Sequence, residues 1–304
     1  MVSLVAAALQ TAGLRCGTLT SPHVERVNER LRLLGAPADD DVLATALEAA
    51  MVARATAERR DSAGGSASWF DVFIAASLWS LANDGASWAV VECGLGGRGD
   101  STNVLDAEVS VLTSVELEHT EVLGHTVEEI AREKAGIVSP AGTLVAALAH
   151  GSAGADVATS VARERGASAL VLVPPPATGA AASNLLTARA VLDELGRRGV
   201  RCAAGRALGS HLLDDPAVLA LAHSMLPMLS KTLTPHGERV GTLRVRRRCL
   251  AGWRAHACER RGLGAGREWA NASSGSGVQL VAGLHQQKLL SAAGAVRVGL
   301  LCPS

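Results

Sequence analysis

The sequence predicts an α/β fold, a parallel sheet with helices on both faces. Three observations predict it. Short apolar runs recur at 87–92, 108–113, 143–147 and 169–173, with the length of strands buried on both faces. Helical patterns at 126–135 and 155–165 lie between the later runs, and such alternation marks parallel strand–helix–strand units. The chain has 304 residues, 48% of them hydrophobic, which is enough for a sizeable core in one or two domains.

Each element has its own signal. Residues 3–12 read as a buried helix stopped by Gly13. Cys16–Thr20 reads as a short strand leading into a turn at Ser21, Pro22 and His23. Residues 40–59 are helical, with Asp39, Asp40 and Asp41 available as cap and first-turn acids. Residues 62–68 form a Gly/Ser loop, and 69–82 carry Phe73, Ala76, Leu78 and Trp79 at helical spacing. Val173–Ser183, rich in Pro, Ala and Gly, reads as a linker before an amphipathic helix at Asn184–Arg198. The expected organisation is therefore a catalytic domain at 1–174, a linker and helix at 175–204, and an irregular Arg-rich segment at 205–304.

Composition narrows the function classes. Lys plus Arg number 29 and Asp plus Glu 29, so net charge selects no partner. No apolar run reaches the roughly 18–20 residues that span a bilayer, and the apolar opening lacks the basic flank of a signal peptide. Cys16, Cys93, Cys202, Cys249, Cys258 and Cys302 show no zinc-ligand spacing, which makes a reduced, cytoplasmic compartment the default without separating it from an organelle. Nine arginines fall within 239–267. Without interleaved aromatics they read as a solvated tail and not as a nucleic-acid surface. Only three lysines stand beside 26 arginines. A lysine kept in so Arg-biased a chain is a candidate for a role that needs an amine, and Lys134 is one of the three.

Gly94–Gly99, GLGGRG, matches a dinucleotide-binding pattern after the apolar run ending at Glu92. Such a fingerprint needs a helix directly after the glycines, and here the chain runs through Asp100–Asn103 straight into the strand at 108. A nicotinamide oxidoreductase is thereby set aside. Glu92 is the more informative residue. Ligands of parallel sheets bind beyond the carboxyl ends of the strands, and a carboxylate there suits Mg²⁺, a cation that takes oxygen ligands. His119 follows the neighbouring strand in the same way. A lone histidine in that position is usually structural; its pairing with Glu92 makes one crevice the reading to test. Lys134, near a helix end, reads on its own as a solvated partner of the helix dipole.

Together these residues resemble the folylpolyglutamate synthase/dihydrofolate synthase family of the Mur-ligase superfamily. The matching segments are Thr20–Gly35, Ser68–Trp79, the long and specific stretch Val90–Ile137, and, weakly, Ala182–Leu195. The resemblance implies a P-loop NTPase-like central domain, incomplete here, and an ATP-dependent amide ligase that adds L-glutamate to folate or dihydropteroate through an acyl phosphate. It implies ATP and Mg²⁺ as cofactors, a monomer, and no nucleic-acid or membrane partner. By motif match, Glu92 and His119 are implied metal ligands, and Lys134 the lysine that relatives carry as a carbamate. All three are thereby implied catalytic residues. Ser21, Pro22, His23, Arg98, Asp100 and Asn103 are implied to border the substrate, and Gly94, Gly96 and Gly97 the nucleotide.

Four departures accompany the resemblance. No G-x-x-x-x-G-K-[ST] loop occurs in the sequence, and by comparison with the family pattern the chain is expected to begin just after that loop. Asp71 and Glu118 each exchange Asp and Glu relative to the family pattern. The stretch between 173 and 184 is short, and no counterpart of the family's second α/β domain is legible. Activity in this chain is therefore expected to be impaired, and a non-catalytic folate- or partner-binding remnant stands as the alternative.

Overall fold

The computed structural model describes residues 1–60, 66–226 and 297–302. The Arg-rich stretch 239–267 lies outside the described residues. In chain order the elements are α1 (Val2–Thr11), β1 (Cys16–Leu19), β2 (Leu31–Leu33), β3 (Ala36–Pro37), α2 (Asp40–Arg60), α3 (Trp69–Asn83), β4 (Trp88–Glu92), β5 (Ala107–Leu112), α4 (Thr120–Leu123), α5 (Val127–Ala135), β6 (Thr143–Ala146), α6 (Ala153–Glu164), β7 (Ala169–Leu172), α7 (Ala180–Arg197), α8 (Pro216–Ser224) and β8 (Arg297–Cys302). The strands form one 8-stranded sheet in the order β3-β2-β1-β4-β8-β5-β6-β7.

Side-chain alternation along β4 builds the layers. Successive residues of a strand point to opposite faces. Trp88 and Val90 enter one core with α1, α7 and α8, where Val5, Leu9, Leu192, Leu195 and Ala222 are buried. Ala89 and Val91 enter the other, with Phe73, Ile74 and Leu81 of α3 and Ala158 and Val161 of α6. Burying one leucine-sized side chain is worth about 1.5–3 kcal/mol, so the two cores together hold the sheet. Outside α3, α2 adds a third layer through Ala46, Ala50 and Ala53, a stripe of small residues at helical spacing that lets two helices approach closely. Among the described residues no helix is long and apolar enough to cross a membrane.

Three features differ from the sequence reading. The sheet is parallel from β1 through β7, but β2 pairs antiparallel with β1, and β3 with β2. This short ribbon escapes pattern reading because β2 has three residues and β3 two. Second, α7 is not set apart behind a linker: Ala188, Val191, Leu192 and Leu195 are part of the core on one face of the sheet. Third, the unit does not stop near 204. Val218, Ala222 and Met225 are buried in that same core, and β8 lies between β4 and β5. Neither short element carries a period long enough to detect, and β8 meets its partners only through contacts very distant in sequence.

Candidate active site

The carboxyl ends of β1, β4 and β5 meet at one edge of the sheet. The turn after β1 is built locally. The Ser21–Pro22 peptide is cis, and Glu29 gathers the chain by accepting hydrogen bonds from the backbone N–H groups of Val24, Glu25 and Arg26 at 2.7–3.0 Å. Within this turn the Nε of Arg30 donates to Nδ1 of His23 at 2.8 Å. Burial, then the Arg30 charge, holds the His23 pKa below its ordinary value, so a neutral ring accepting from Arg30 is the consistent state. The guanidinium of Arg30 also lies over the Trp69 ring, 5.0 Å from its centroid, a cation–π geometry. Sequence reading missed Arg30 and Trp69. An exposed tryptophan at a helix start was the available signal, since Trp69 is 45% exposed.

Glu92 is the last residue of β4. One carboxylate oxygen, Oε2, accepts from the backbone N–H of Ser21 at 2.7 Å, tying the turn to the strand end. Burial raises the Glu92 pKa; that hydrogen bond and the positive charges of the Met1 amine and Arg30 oppose the rise. A carboxylate kept poorly solvated at a strand end favours a cation partner.

The glycine loop after Glu92 is closed on itself by Asp100. Its Oδ2 accepts from the backbone N–H groups of Gly94 and Leu95, both at 2.9 Å. Its Oδ1 accepts from Thr102 N–H at 2.9 Å and Thr102 Oγ1 at 2.5 Å. Burial raises the Asp100 pKa against these four bonds. The loop then docks on α5: Arg98 N–H donates to the Glu133 carbonyl at 2.8 Å, Gly99 N–H to Glu133 Oε1 at 2.8 Å, and the Arg98 Nε to Glu133 Oε2 at 3.2 Å. Asn103 Nδ2 donates to the carbonyls of Arg98 and Gly136. Glycine is required here. Gly96 has φ +70°, and a Cβ on Gly97 would lie 2.5 Å from the Lys134 carbonyl. The glycines thus serve a close backbone approach to α5. In place of a helix after them there is a four-residue 3-10 turn, Ser101–Val104. Asp71 is buried, caps α3 through Ser68, and accepts from Ser101 Oγ at 2.5 Å.

Lys134 of α5 is 1% exposed and its ammonium is ion-paired with Glu118. His119 is exposed and begins α4 in the left-handed conformation, φ 47°. Ser114 Oγ, past the end of β5, is buried without a hydrogen-bond partner among the described residues. The structure therefore brings Ser21, Glu92, the glycine loop and α5 into one edge. The roles are uneven. Asp100 and Asn103 organise the loop, Arg98 is ion-paired, and among the described residues no three His, Cys, Asp or Glu side chains stand together as a metal cage.

No protein-family model matches the chain. A folylpolyglutamate synthase of Lacticaseibacillus casei is 38% identical over 160 residues, 52% of this chain and 37% of the relative. A probable bifunctional folylpolyglutamate synthase/dihydropteroate synthase of Halobacterium salinarum is 42% identical over 134 residues, 44% of this chain and 16% of the relative. Over these segments the chain is similar to proteins of the folylpolyglutamate synthase/dihydrofolate synthase kind. It spans well under half the length of these two relatives. The crystal structure of the bifunctional folylpolyglutamate synthase/dihydrofolate synthase from Yersinia pestis, complexed with AMPPNP and Mn ion, has the same fold. It covers 99% of this chain and 82% of its own at 20% identity, with a TM-score of 0.56.

Proposed function

We propose that this edge of the sheet is the site of an ATP-dependent ligase that adds glutamate to folate or to dihydropteroate. The observation that carries the reading is the convergence on Glu92. The Ser21 turn binds it directly, and the glycine loop that follows it is latched to the helix bearing Lys134. Adenine nucleotide and a divalent metal accompany the Yersinia pestis relative; for this chain we assign the roles to ATP and Mg²⁺.

The residues present fit a cation in part. Glu92 offers an oxygen that takes no hydrogen bond among the described residues, since its one bond from Ser21 is to Oε2. Ser114 Oγ is an orphaned hydroxyl past the end of the neighbouring strand. Lys134 as an ammonium is paired with Glu118 and is no ligand. As a carbamate it would be an anion facing a carboxylate, so carbamylation and cation binding support each other. His119 would complete the set. Bound Mg²⁺ supplies charge compensation for the phosphate oxygens. The protein's own groups do the rest: the Ser21 turn fixes the Glu92 carboxylate, and the Arg30–Trp69 pair offers a flat cationic and aromatic surface for a ring such as a pterin.

The test is ATP-dependent incorporation of labelled L-glutamate into tetrahydrofolate or dihydropteroate, with ADP release measured in parallel. Joint appearance of both products supports the ligase. Saturable folate binding with no ADP release would replace it with a folate-binding remnant of the family, and neither binding nor turnover would sink both.

A further inference from the structure

The arginines of the turn and ribbon after β1 have different fates. Arg26 pairs with Asp40 at 2.6 Å, and Arg32 donates from Nη1 to the Gly35 carbonyl at 2.9 Å. Both serve the fold. Arg30 is as buried as Arg32, at 8% against 9% exposure. Yet among the described residues no carboxylate stands within ion-pair distance of it. Its side-chain hydrogen bond runs from Nε to Nδ1 of His23 and leaves the Nη groups without a protein acceptor among the described residues. The guanidinium carbon lies over two rings, 5.0 Å from the Trp69 centroid and 5.9 Å from that of Phe73. A sheltered cation with unused donors, set against a half-exposed indole, is a surface for a flat ring that carries acceptor atoms.

We propose that His23 is the positioning residue of this surface: its Nδ1 holds the Arg30 guanidinium over Trp69, so that affinity for a pterin ring is set by a side chain that need not touch the ring. The inference rests on the ligase reading for the identity of the ring. The bond fixes the state of both partners. Arginine donates and never accepts, so His23 takes the bond as a neutral ring with its proton on Nε2. A protonated ring would set a second donor and a second positive charge across 2.8 Å, and the pair would part. The charges acting on His23 are those of Arg30 and Glu29. Glu29 favours the protonated ring, but its oxygens are engaged by the N–H groups of Val24, Glu25 and Arg26. From β4, Glu92 acts on Arg30; the groups that α3 sets against Arg30, Trp69 and Phe73, carry no charge. Burial first, and the Arg30 charge second, hold the His23 pKa below its ordinary value. The bond is therefore intact at neutral pH and is lost as pH falls through that lowered value.

The test is binding to the full chain, followed by ligand-observed NMR. The probes are 6-hydroxymethylpterin, a ring without a tail, and folic acid. At neutral pH Arg30→Met should weaken both about 10- to 100-fold. His23→Leu should weaken both about three- to tenfold. His23→Asn, whose Oδ1 can accept from Arg30 Nε, should restore the affinity of the parent. A pH profile separates positioning from packing. The parent should lose affinity as pH falls below the ordinary histidine range, by the factor seen in His23→Leu, while His23→Asn stays flat over that interval. Should Arg30→Met not fold, the profiles of the parent and His23→Asn decide. Three results overturn the proposal: a tail-less ring that does not bind, a loss confined to folic acid, which would put Arg30 on the tail carboxylates, and equal pH profiles for the parent and His23→Asn. Turnover is read apart. Ring recognition of this kind without ADP release would remove the ligase and keep the surface; turnover with binding indifferent to His23 would remove this proposal alone.

Discussion

The two ends of the sheet use buried polar groups in opposite ways. At the amino end, Glu194 of α7 is 5% exposed. It accepts from Thr143 Oγ1 at 2.7 Å and pairs with Arg197 at 3.0 Å. Arg198 donates to the Ala141 carbonyl and to the hydroxyls of Thr143 and Ser168. Every member of that network serves another, and it fastens α7 to the strand starts. At the carboxyl end, Glu92 uses one backbone donor, Ser114 Oγ has no partner among the described residues, and His119 stands exposed in a left-handed conformation that non-glycine residues seldom adopt. A saturated network is what stability selects; incompletely satisfied groups at strand ends are what a ligand site requires.

The sharpest way to break this contrast is at Glu92. Glu92→Gln keeps an acceptor for Ser21 N–H but removes the charge. Glutamate incorporation should fall about 100-fold or more with little change in thermal midpoint. An equal loss of stability would make Glu92 structural. Lys134→Met comes next, since it leaves Glu118 without its buried cation. Chemical denaturation should show a loss of about 2–4 kcal/mol, and a loss near zero would mean that the pair contributes nothing to folding. At the other end, Thr143→Val should cost about 1–3 kcal/mol and leave turnover per folded molecule unchanged. A change in turnover would couple the two ends.

The smallest effect is a slope with pH. The Glu92 pKa is raised in the folded protein, so the folded state favours the protonated form. The sign follows: this group's contribution to stability is greatest below the ordinary carboxylate range and declines as pH rises from that range through the raised value. Comparing the parent with Glu92→Gln across that interval should show the parent losing ground as pH rises. Added Mg²⁺ should offset the loss at the upper end. A difference independent of pH would contradict the burial-driven shift.

How much of this was legible differs by element. β4, β5, β6 and β7 and the helices α1 to α3 and α5 to α7 lie where the apolar runs and helical spacings place them, because each is long enough to show a period and is buried by neighbours near in sequence. The β2–β3 ribbon, α8 and β8 are too short for a period, and β8 is a strand only because of walls contributed by residues near 90 and 110. In the site, motif positions were legible but partners were not. Asp100 looks like a substrate contact in sequence, yet its oxygens are taken by the loop's own amides. The helix-end Lys134, which its sequence context makes a solvated residue, is buried against Glu118. Side-chain partners come from loops whose conformation no periodicity encodes.

The alternation along β4 has a further consequence. Trp88 and Val90 face one core, Ala89 and Val91 the other, and the strand ends on Glu92. Single substitutions change one volume in one layer. Inserting or deleting one residue in this strand instead exchanges the contents of both layers beyond the edit and turns the carboxylate away from the Ser21 amide. In a deep mutational scan β4 should therefore tolerate conservative replacements and reject almost every one-residue length change, a pattern that would mark it as the ruler from which the rest of this edge is measured.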